Sequence, residues 1–350
     1  MNTTKPLIFD LGKEDLITWF KANGQPNFRA KQAWTALYQS FRTQPEDISI
    51  FPKELRETLA DAFAFSAFSP VRAIESEDGQ THKTLFRLRD GNLIEAVLMF
   101  YDDRRTLCIS SQSGCGIGCS FCATGQMGFR RNLTSGEIIA QVLYYARRLD
   151  EKNERVTNIV MMGMGEPFQN YENVMAALDR LNQPDGMGLG ARRFTISTVG
   201  LVPKIRQFAD EGTQYNLAIS LHAVNDELRS SMIPINKRYP VDVLLEACRY
   251  YVWKTNRRIT FEYALIQGVN DSASDADALA EKVGDLLCHV NLIPLNPTAG
   301  FAKQPSSSRQ AEVFCEILDS HHIPCTIRLR RGIEIQAGCG QLAAEYDASF

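Results

Sequence analysis

Three cysteines fall on one short stretch, Cys115-Gly-Ile-Gly-Cys119-Ser-Phe-Cys122. Thiolates on a single loop are a common way of holding the irons of a [4Fe–4S] cluster, one sulfur to each iron. Three protein thiolates leave the fourth iron without a protein ligand and open to a substrate. Glycines at 114, 116 and 118 let so short a loop wrap tightly around a bulky cubane. The alternatives are a structural zinc site or buried, unligated cysteines. A closed zinc site takes four ligands, and no His or Cys close in sequence supplies the fourth. Cysteines further along the chain are still available to complete one in three dimensions.

Other residues able to bind a polar ligand recur at the ends of apolar strand patterns. Candidate strands are TLCISS (106–111), VTNIVMM (156–162), RFTISTV (193–199), YNLAISL (215–221), RITFEYAL (258–265), HVNLIPL (289–295) and CTIRL (325–329). The cysteine loop follows the first. Gly163, Gly165, Glu166 and Pro167 follow the second, Ser197 and Thr198 end the third, Ser220, Leu221 and His222 end the fourth, and Asn296 follows the sixth. Each alone is ordinary loop punctuation. Their shared place is the C-terminal end of a strand, which is the functional face of α/β sheets and barrels.

The frame that must position them alternates strands with helical patterns such as SGEIIAQVLYYARRL (135–149) and VDVLLEACRYYVW (241–253). Repeated strand–helix units imply a parallel sheet with right-handed crossovers, and strands this apolar imply burial on both faces. The expected fold class is therefore α/β, a partial (β/α) barrel, with an open doubly wound sheet as the alternative. Residues 13 to 62 show helical periodicity punctuated by Pro26 and Pro52. Residues 70 to 101 have strand composition on either side of an Asp90-Gly91 turn. The expected organisation is a helical accessory domain over 1–65, a β connector over 66–103, and the barrel with its C-terminal loop over 104–350.

Bulk properties narrow the function class. A net charge of -3 argues against a nonspecific nucleic-acid coat protein. It leaves room for a local basic groove, for which the candidates are Arg104 and Arg105, Arg130 and Arg131, Arg192 and Arg193, and Arg328, Arg330 and Arg331. Those clusters matter only if they meet around one site. The N-terminus lacks the charged start and apolar run of a signal peptide, and no stretch is long and apolar enough to span a membrane, so a cytoplasmic location without membrane association is expected. Nine cysteines, an odd number with three crowded together, suit metal or redox chemistry better than a disulfide framework.

The C-x3-C-x2-C loop after a barrel strand resembles the signature of the radical S-adenosylmethionine (SAM) superfamily. The resemblance extends further. FCATGQMGFRRNLTSGEI, VMMGMGEPFQNYENV, ARRFTISTVGLVPKI, NLAISLHAVNDELRSSMIPINKRYP, FEYALIQGVND, CHVNLIPLNP and GCGQL, in this order, resemble the RlmN/Cfr family of RNA adenine methyltransferases from about residue 26 to 345. The resemblance implies a radical SAM partial barrel whose helical accessory domain binds RNA. Cys115, Cys119 and Cys122 match the cluster ligands. Gly165, Glu166, Ser197, Ser220, Leu221, His222 and Asn296 match the SAM contacts. Cys339 matches the cysteine that becomes S-methylated, Cys108 the second essential cysteine, and Glu95 a proposed proton acceptor.

The implied chemistry explains these residue types. Adenine C2 is not nucleophilic, so direct polar methyl transfer from SAM fails there, whereas a thiolate accepts the methyl group. A second SAM, cleaved on the cluster, gives a radical that removes hydrogen from the Cys339 methyl group, and the methylene radical adds to the ring. A base removes the ring proton, and Cys108 attacks Cys339 to release the RNA as a disulfide forms. Two SAM molecules per turnover and a one-electron donor such as flavodoxin are implied, and a monomer is expected. Cys248, Cys288, Cys315 and Cys325 match no role and read as structural. Where many members read RGDDIDAACGQL, this chain reads RGIEIQAGCGQL, with Gln336 and Gly338 as the departures. Pro167 resembles the C2-specific branch acting on 23S rRNA, with tRNA as a second substrate. The alternatives are a C8-specific, Cfr-like methyltransferase and a noncatalytic RNA-binding iron–sulfur protein.

Overall fold

The computed structural model describes residues 5–298, 300–328 and 340–347. Three helices open the chain, α1 (Lys13–Ala22), α2 (Asn27–Tyr38) and α3 (Lys53–Ala62). Pro26 and Pro52 stand at the N-caps of α2 and α3, where a missing amide proton costs little. An antiparallel meander follows: β1 (Phe68–Glu75), β2 (Thr81–Leu88) and β3 (Leu93–Phe100). The turn between β2 and β3 falls at the expected Asp90-Gly91, with Gly91 at φ 91° and Asp90 Oδ1 accepting from the Asn92 amide at 3.0 Å.

The chain then runs through β4 (Arg105–Cys108), a small ribbon of β5 (Gln112–Gly114) and β6 (Phe129–Asn132) enclosing α4 (Ala123–Gln126), and α5 (Ser135–Asp150). Strand–helix alternation continues with β7 (Asn158–Met161), α6 (Tyr171–Asn182), β8 (Phe194–Thr198), α7 (Val202–Asp210), β9 (Asn216–Ser220), α8 (Asp226–Met232) and α9 (Val241–Thr255). It ends with β10 (Ile259–Leu265), α10 (Ala273–Val283), β11 (Cys288–Pro294), α11 (Ser308–Ser320), β12 (Cys325–Ile327) and α12 (Gln341–Asp347). Every strand expected from β4 onward is present, shorter or shifted by a few residues at its ends.

One ten-stranded sheet has the order β1-β2-β3-β4-β7-β8-β9-β10-β11-β12, parallel from β4 onward. The strands read as a connector extend this same sheet, because β3 pairs antiparallel with β4. The sheet curls back on itself: Arg328, just past β12, brings Nη2 to 3.9 Å from Sδ of Met99 on β3. Apolar residues such as Ile196, Leu217, Ile219, Phe261 and Val290 are buried within it, as a sheet covered on both faces requires. Among the described residues, no helix is long and apolar enough to cross a membrane.

The N-terminal helices share the barrel's core, since Phe20 and Trp34 belong to the same apolar cluster as Ile159 and Leu178. Polar contacts fix the join. The buried Arg180 guanidinium donates to the carbonyls of Phe9 and Leu11 and to Ser135 Oγ, and Asp10 Oδ1 accepts from the Gly136 amide at 2.8 Å. Helix α5 starts here, in a capping box of Thr134 and Glu137. A Cβ on Gly136 would lie 2.6 Å from the Phe9 carbonyl carbon. Gly136→Ala should therefore lower the unfolding free energy by about 2 kcal/mol in urea denaturation; unchanged stability would show that this join is loose.

Candidate active site

The cysteine loop hangs between the β5–β6 ribbon and the open end of the barrel. Its base is closed by the Cys115 amide donating to the Gly128 carbonyl at 3.0 Å. Gly114 is required there: its φ is 70°, and a Cβ would sit 1.9 Å from that carbonyl oxygen. The Ser120 amide donates to the Met232 carbonyl at 2.9 Å, tying the loop to the end of α8. Cys115, Cys119 and Cys122 all line one cavity of about 340 Å³.

The donor set fits an iron–sulfur cluster. Burial pushes the Cys115 thiol up to about 12, against the Ile117 amide that favours its thiolate. Burial also pushes Cys119 well up, with Cys122 and Cys115 adding to the rise. Crowded, buried thiols of this kind become thiolates when a bound cation supplies the missing positive charge. Among the described residues, no three His, Cys, Asp or Glu side chains converge closely enough to share a single metal ion. A cubane takes its thiolates on separate irons, which suits three cysteines spread along one loop.

The strand ends supply the facing wall. Gly163, Gly165, Glu166, Ser197, Ser220, His222 and Asn296 all line the cavity with the three cysteines. Gly163 and Gly165 are set by close approach: a Cβ would lie 2.6 Å from the Ile109 oxygen and 2.5 Å from Gln112 Cβ. Glu166 is buried, and its oxygens accept from the amides of Phe168 at 3.0 Å and Val199 at 2.8 Å. Burial nevertheless pushes its carboxyl up to about 7 against those bonds. Ser197 and Ser220 meet through their hydroxyls at 3.3 Å. His222 Nδ1 accepts from the Ala264 amide at 2.9 Å, which leaves Nε2–H as the donor of the neutral ring. Phe121 of the cysteine loop packs edge-on against that ring at 5.0 Å.

Other expected residues lie elsewhere. The Leu221 side chain is buried in the main core, and only its backbone faces these contacts. Cys108 is buried outside the cavity lining, packed with Val97, Met99 and Met162, which all line the cavity. Glu95 is outside the cavity lining; it pairs with Lys83 at 2.9 Å. Cys339 lies outside the described residues, as do Arg330 and Arg331. The described arginines of these clusters do not all gather on one rim. Arg192 and Arg193 precede β8, and Arg104 precedes β4, at the strand ends opposite the cavity. Arg105 is paired with Glu154, and Arg131 with Asp90 and Glu137. Among the described members of these clusters, only Arg328 lines the cavity.

Two cavity features escaped the reading of sequence motifs. Glu262 lines the cavity from β10, with Oε2 accepting from Asn291 Nδ2 at 2.8 Å and its carboxyl raised by burial. A carboxylate inside the apolar run RITFEYAL was the available signal. Arg229 is fully buried, and donates to the carbonyls of Leu221 at 2.9 Å, Val199 at 2.7 Å and Ser220 at 3.1 Å. Nothing local marks it out.

Burial, with Arg229 adding to it, holds His222 down to about 3. An unfolded histidine takes its proton near its ordinary 6.5, so between these values the unfolded chain binds more protons and stability falls as pH falls. The wild type should therefore lose stability relative to His222→Gln below pH 6.5, by at most about 1.4 kcal/mol per pH unit, with a constant difference above pH 7.5. Parallel pH profiles in urea denaturation would contradict a buried neutral ring.

The radical SAM superfamily model matches residues 109–280, which contain the cysteine loop and strands up to β10. The chain is 48% identical over 342 residues to a probable dual-specificity RNA methyltransferase RlmN of Geobacillus kaustophilus, covering 97% of this chain and 93% of that protein. It is 44% identical over 341 residues to dual-specificity RNA methyltransferase RlmN 1 of Myxococcus xanthus, covering 97% and 95%. Its fold superposes on the crystal structure of a radical SAM methyltransferase from Sphaerobacter thermophilus with a TM-score of 0.94 at 50% identity, over 96% of this chain and 98% of that one. With identity of this level kept along both chains, and with the cysteine loop and strand ends meeting in one cavity, the chain belongs to the RlmN family of radical SAM methyltransferases.

Proposed function

We propose that this enzyme methylates C2 of an adenosine in 23S rRNA and in tRNA through an S-methylated Cys339. The observation that carries the reading is the near-full-length identity to dual-specificity RNA methyltransferases. In this reading Cys115, Cys119 and Cys122 hold the [4Fe–4S] cluster. Glu166, Ser197, Ser220, His222 and Asn296 receive SAM together with the backbone of Gly165 and Leu221. When bound, the cluster and two SAM molecules per turnover, fed by a one-electron donor such as flavodoxin, supply a methyl group and the means to take a hydrogen atom from it.

The chain's own residues do the rest. Glu166 offers a carboxylate already fixed by two amides, so it is set before a ligand amine arrives. The neutral His222 offers Nε2–H to an acceptor without adding charge. The Cys339 thiolate takes the methyl group that C2 cannot take directly. Once that carbon is joined to the ring, and the adduct has given up its odd electron to the one-electron carrier and its C2 proton to a base, the Cys108 thiolate attacks the Cys339 sulfur. A sulfur–sulfur bond forms, the carbon–sulfur bond breaks, and its electron pair stays on the departing carbon, which takes up a proton. An external thiol must reduce the resulting disulfide before the next turnover. Cys108 pairs with Val97 across β3–β4, next to the cavity wall, which supports this assignment.

Cys119→Ala should lose cluster iron and brown colour while keeping the thermal midpoint of the metal-free protein; a variant with full iron content would overturn the ligand assignment. Cys108→Ala should keep iron and cleave SAM, yet accumulate a covalent protein–RNA adduct, visible as a retarded band in denaturing gels. The band should vanish when Cys339 is also replaced. Free methylated RNA released by Cys108→Ala at the normal rate would mean that a different thiol resolves the adduct.

A further inference from the structure

Helix α12 is tied to the barrel by a buried ion pair. Lys83 on β2 and Glu95 on β3 are both buried, with Nζ and Oε2 2.9 Å apart. Both oxygens of Glu95 reach across to the C-terminal segment. Oε2 also accepts from the Gly340 amide at 2.9 Å, and Oε1 accepts from the Ala343 amide at 2.5 Å. Lys83 makes good the charge that would otherwise be costly in so dry a place.

The other side of the segment rests on the cluster loop. Gly340 has φ 77°, and a Cβ there would lie 2.1 Å from Oγ1 of Thr124, the second residue after Cys122. Leu342 and Ala343 are buried with Leu85, Leu93 and with Met164 of the Gly163–Gly165 loop. Gln341 lines the cavity and donates to the Pro297 carbonyl at 2.9 Å. Residue 340 is thus held between the Lys83–Glu95 pair and the loop that carries the cluster ligands, and Cys339 is covalently the next residue.

We propose that the Lys83–Glu95 pair is a latch that seats the C-terminal segment against the cluster loop, so that Glu95 and Lys83 are positioning residues for Cys339. The idea rests on the reading of Cys339 as the methyl-carrying thiol for its catalytic consequence, but not for the docking itself. A base taking a ring proton needs an oxygen open to the cavity, and both oxygens of Glu95 are instead committed to the segment. The latch explains why a carboxylate and a cation are buried between two antiparallel strands outside the cavity lining.

The test compares Glu95→Gln, the double variant Lys83→Met/Glu95→Gln, which leaves no unpaired buried charge, and Gly340→Ala, which keeps both charged side chains but pushes residue 340 off Thr124 and so off the latch. Hydrogen exchange of the full-length protein should show amides 340–347 exchanging at least about tenfold faster in all three, with β7–β9 unchanged. In the reconstituted enzyme, kcat for RNA methylation should fall by about tenfold or more at nearly unchanged KM for RNA, while SAM cleavage continues uncoupled from methyl transfer. Wild-type exchange at 340–347 in both the single Glu95 and the double variant would overturn the latch. So would faster exchange with coupled methylation at the wild-type rate. If instead Cys339→Ala still methylates RNA, the reading of Cys339 fails, while the exchange result continues to judge the latch separately.

Discussion

The buried guanidinium of Arg229 holds the open end of this barrel in shape. Where parallel strands give way to loops, carbonyl groups lose their sheet partners and must be satisfied some other way. Arg229 does this for Val199, Ser220 and Leu221 at once, spanning the ends of β8 and β9. Its own place is fixed by Asn236, which accepts from Nη1 at 2.8 Å and donates to Asp226. The Val199 peptide then passes the constraint on, since its amide donates to Glu166. Glu166 in turn caps the short helical turn after the Gly163–Gly165 loop. Glu166 and Ser220 of the cavity wall therefore share one scaffold of backbone bonds, and a ligand meets a surface that needs little rearrangement there.

The same region is short of charge compensation, and this decides what it can bind. The thiols of Cys115 and Cys119 and the carboxyl of Glu166 are all raised by burial, and His222 is held neutral. Arg229 is the buried cation that favours the Cys119 thiolate, yet its pKa is itself lowered to about 10 by the same burial. A cationic guest such as an iron cluster, with a sulfonium-bearing ligand beside it, answers that deficit. Among the described residues, the arginine pairs read from the sequence do not form one basic rim around the cavity. Two of them, Arg105 and Arg131, are already held by Glu154 and by Asp90 and Glu137.

The cluster loop and the strand ends were legible because their signals are local. Three cysteines and three glycines on one turn describe their own chemistry, and polar residues closing apolar strands mark one end of a parallel sheet. What escaped depends on contacts far apart in the chain. Glu95 and Gly340 are 245 residues apart in sequence, so the sequence offered Glu95 only as the proton acceptor that the resemblance implies and gave no sign of its contact with the C-terminal segment. Glu262 is likewise a carboxylate in an apolar strand and lines the cavity, and nothing within either strand distinguishes the two. The β2–β3 hairpin was recognisable from its turn, but turn chemistry does not say which neighbour a hairpin joins. Leu221 illustrates the limit of a motif: its side chain is buried in the core, while its backbone carbonyl accepts from Arg229.

The central claim is that this scaffold delivers a methyl group to adenine C2 by way of a cysteine thioether. It is tested most directly by incubating the reconstituted enzyme with 23S rRNA and SAM carrying a fully deuterated methyl group, then digesting the RNA and analysing its nucleosides by mass spectrometry against 2-methyl- and 8-methyladenosine standards. The account predicts 2-methyladenosine whose methyl group has lost one deuterium, because hydrogen leaves that carbon while it is on sulfur and a solvent proton replaces it. Product that keeps every deuterium, or that coelutes with 8-methyladenosine, would contradict it.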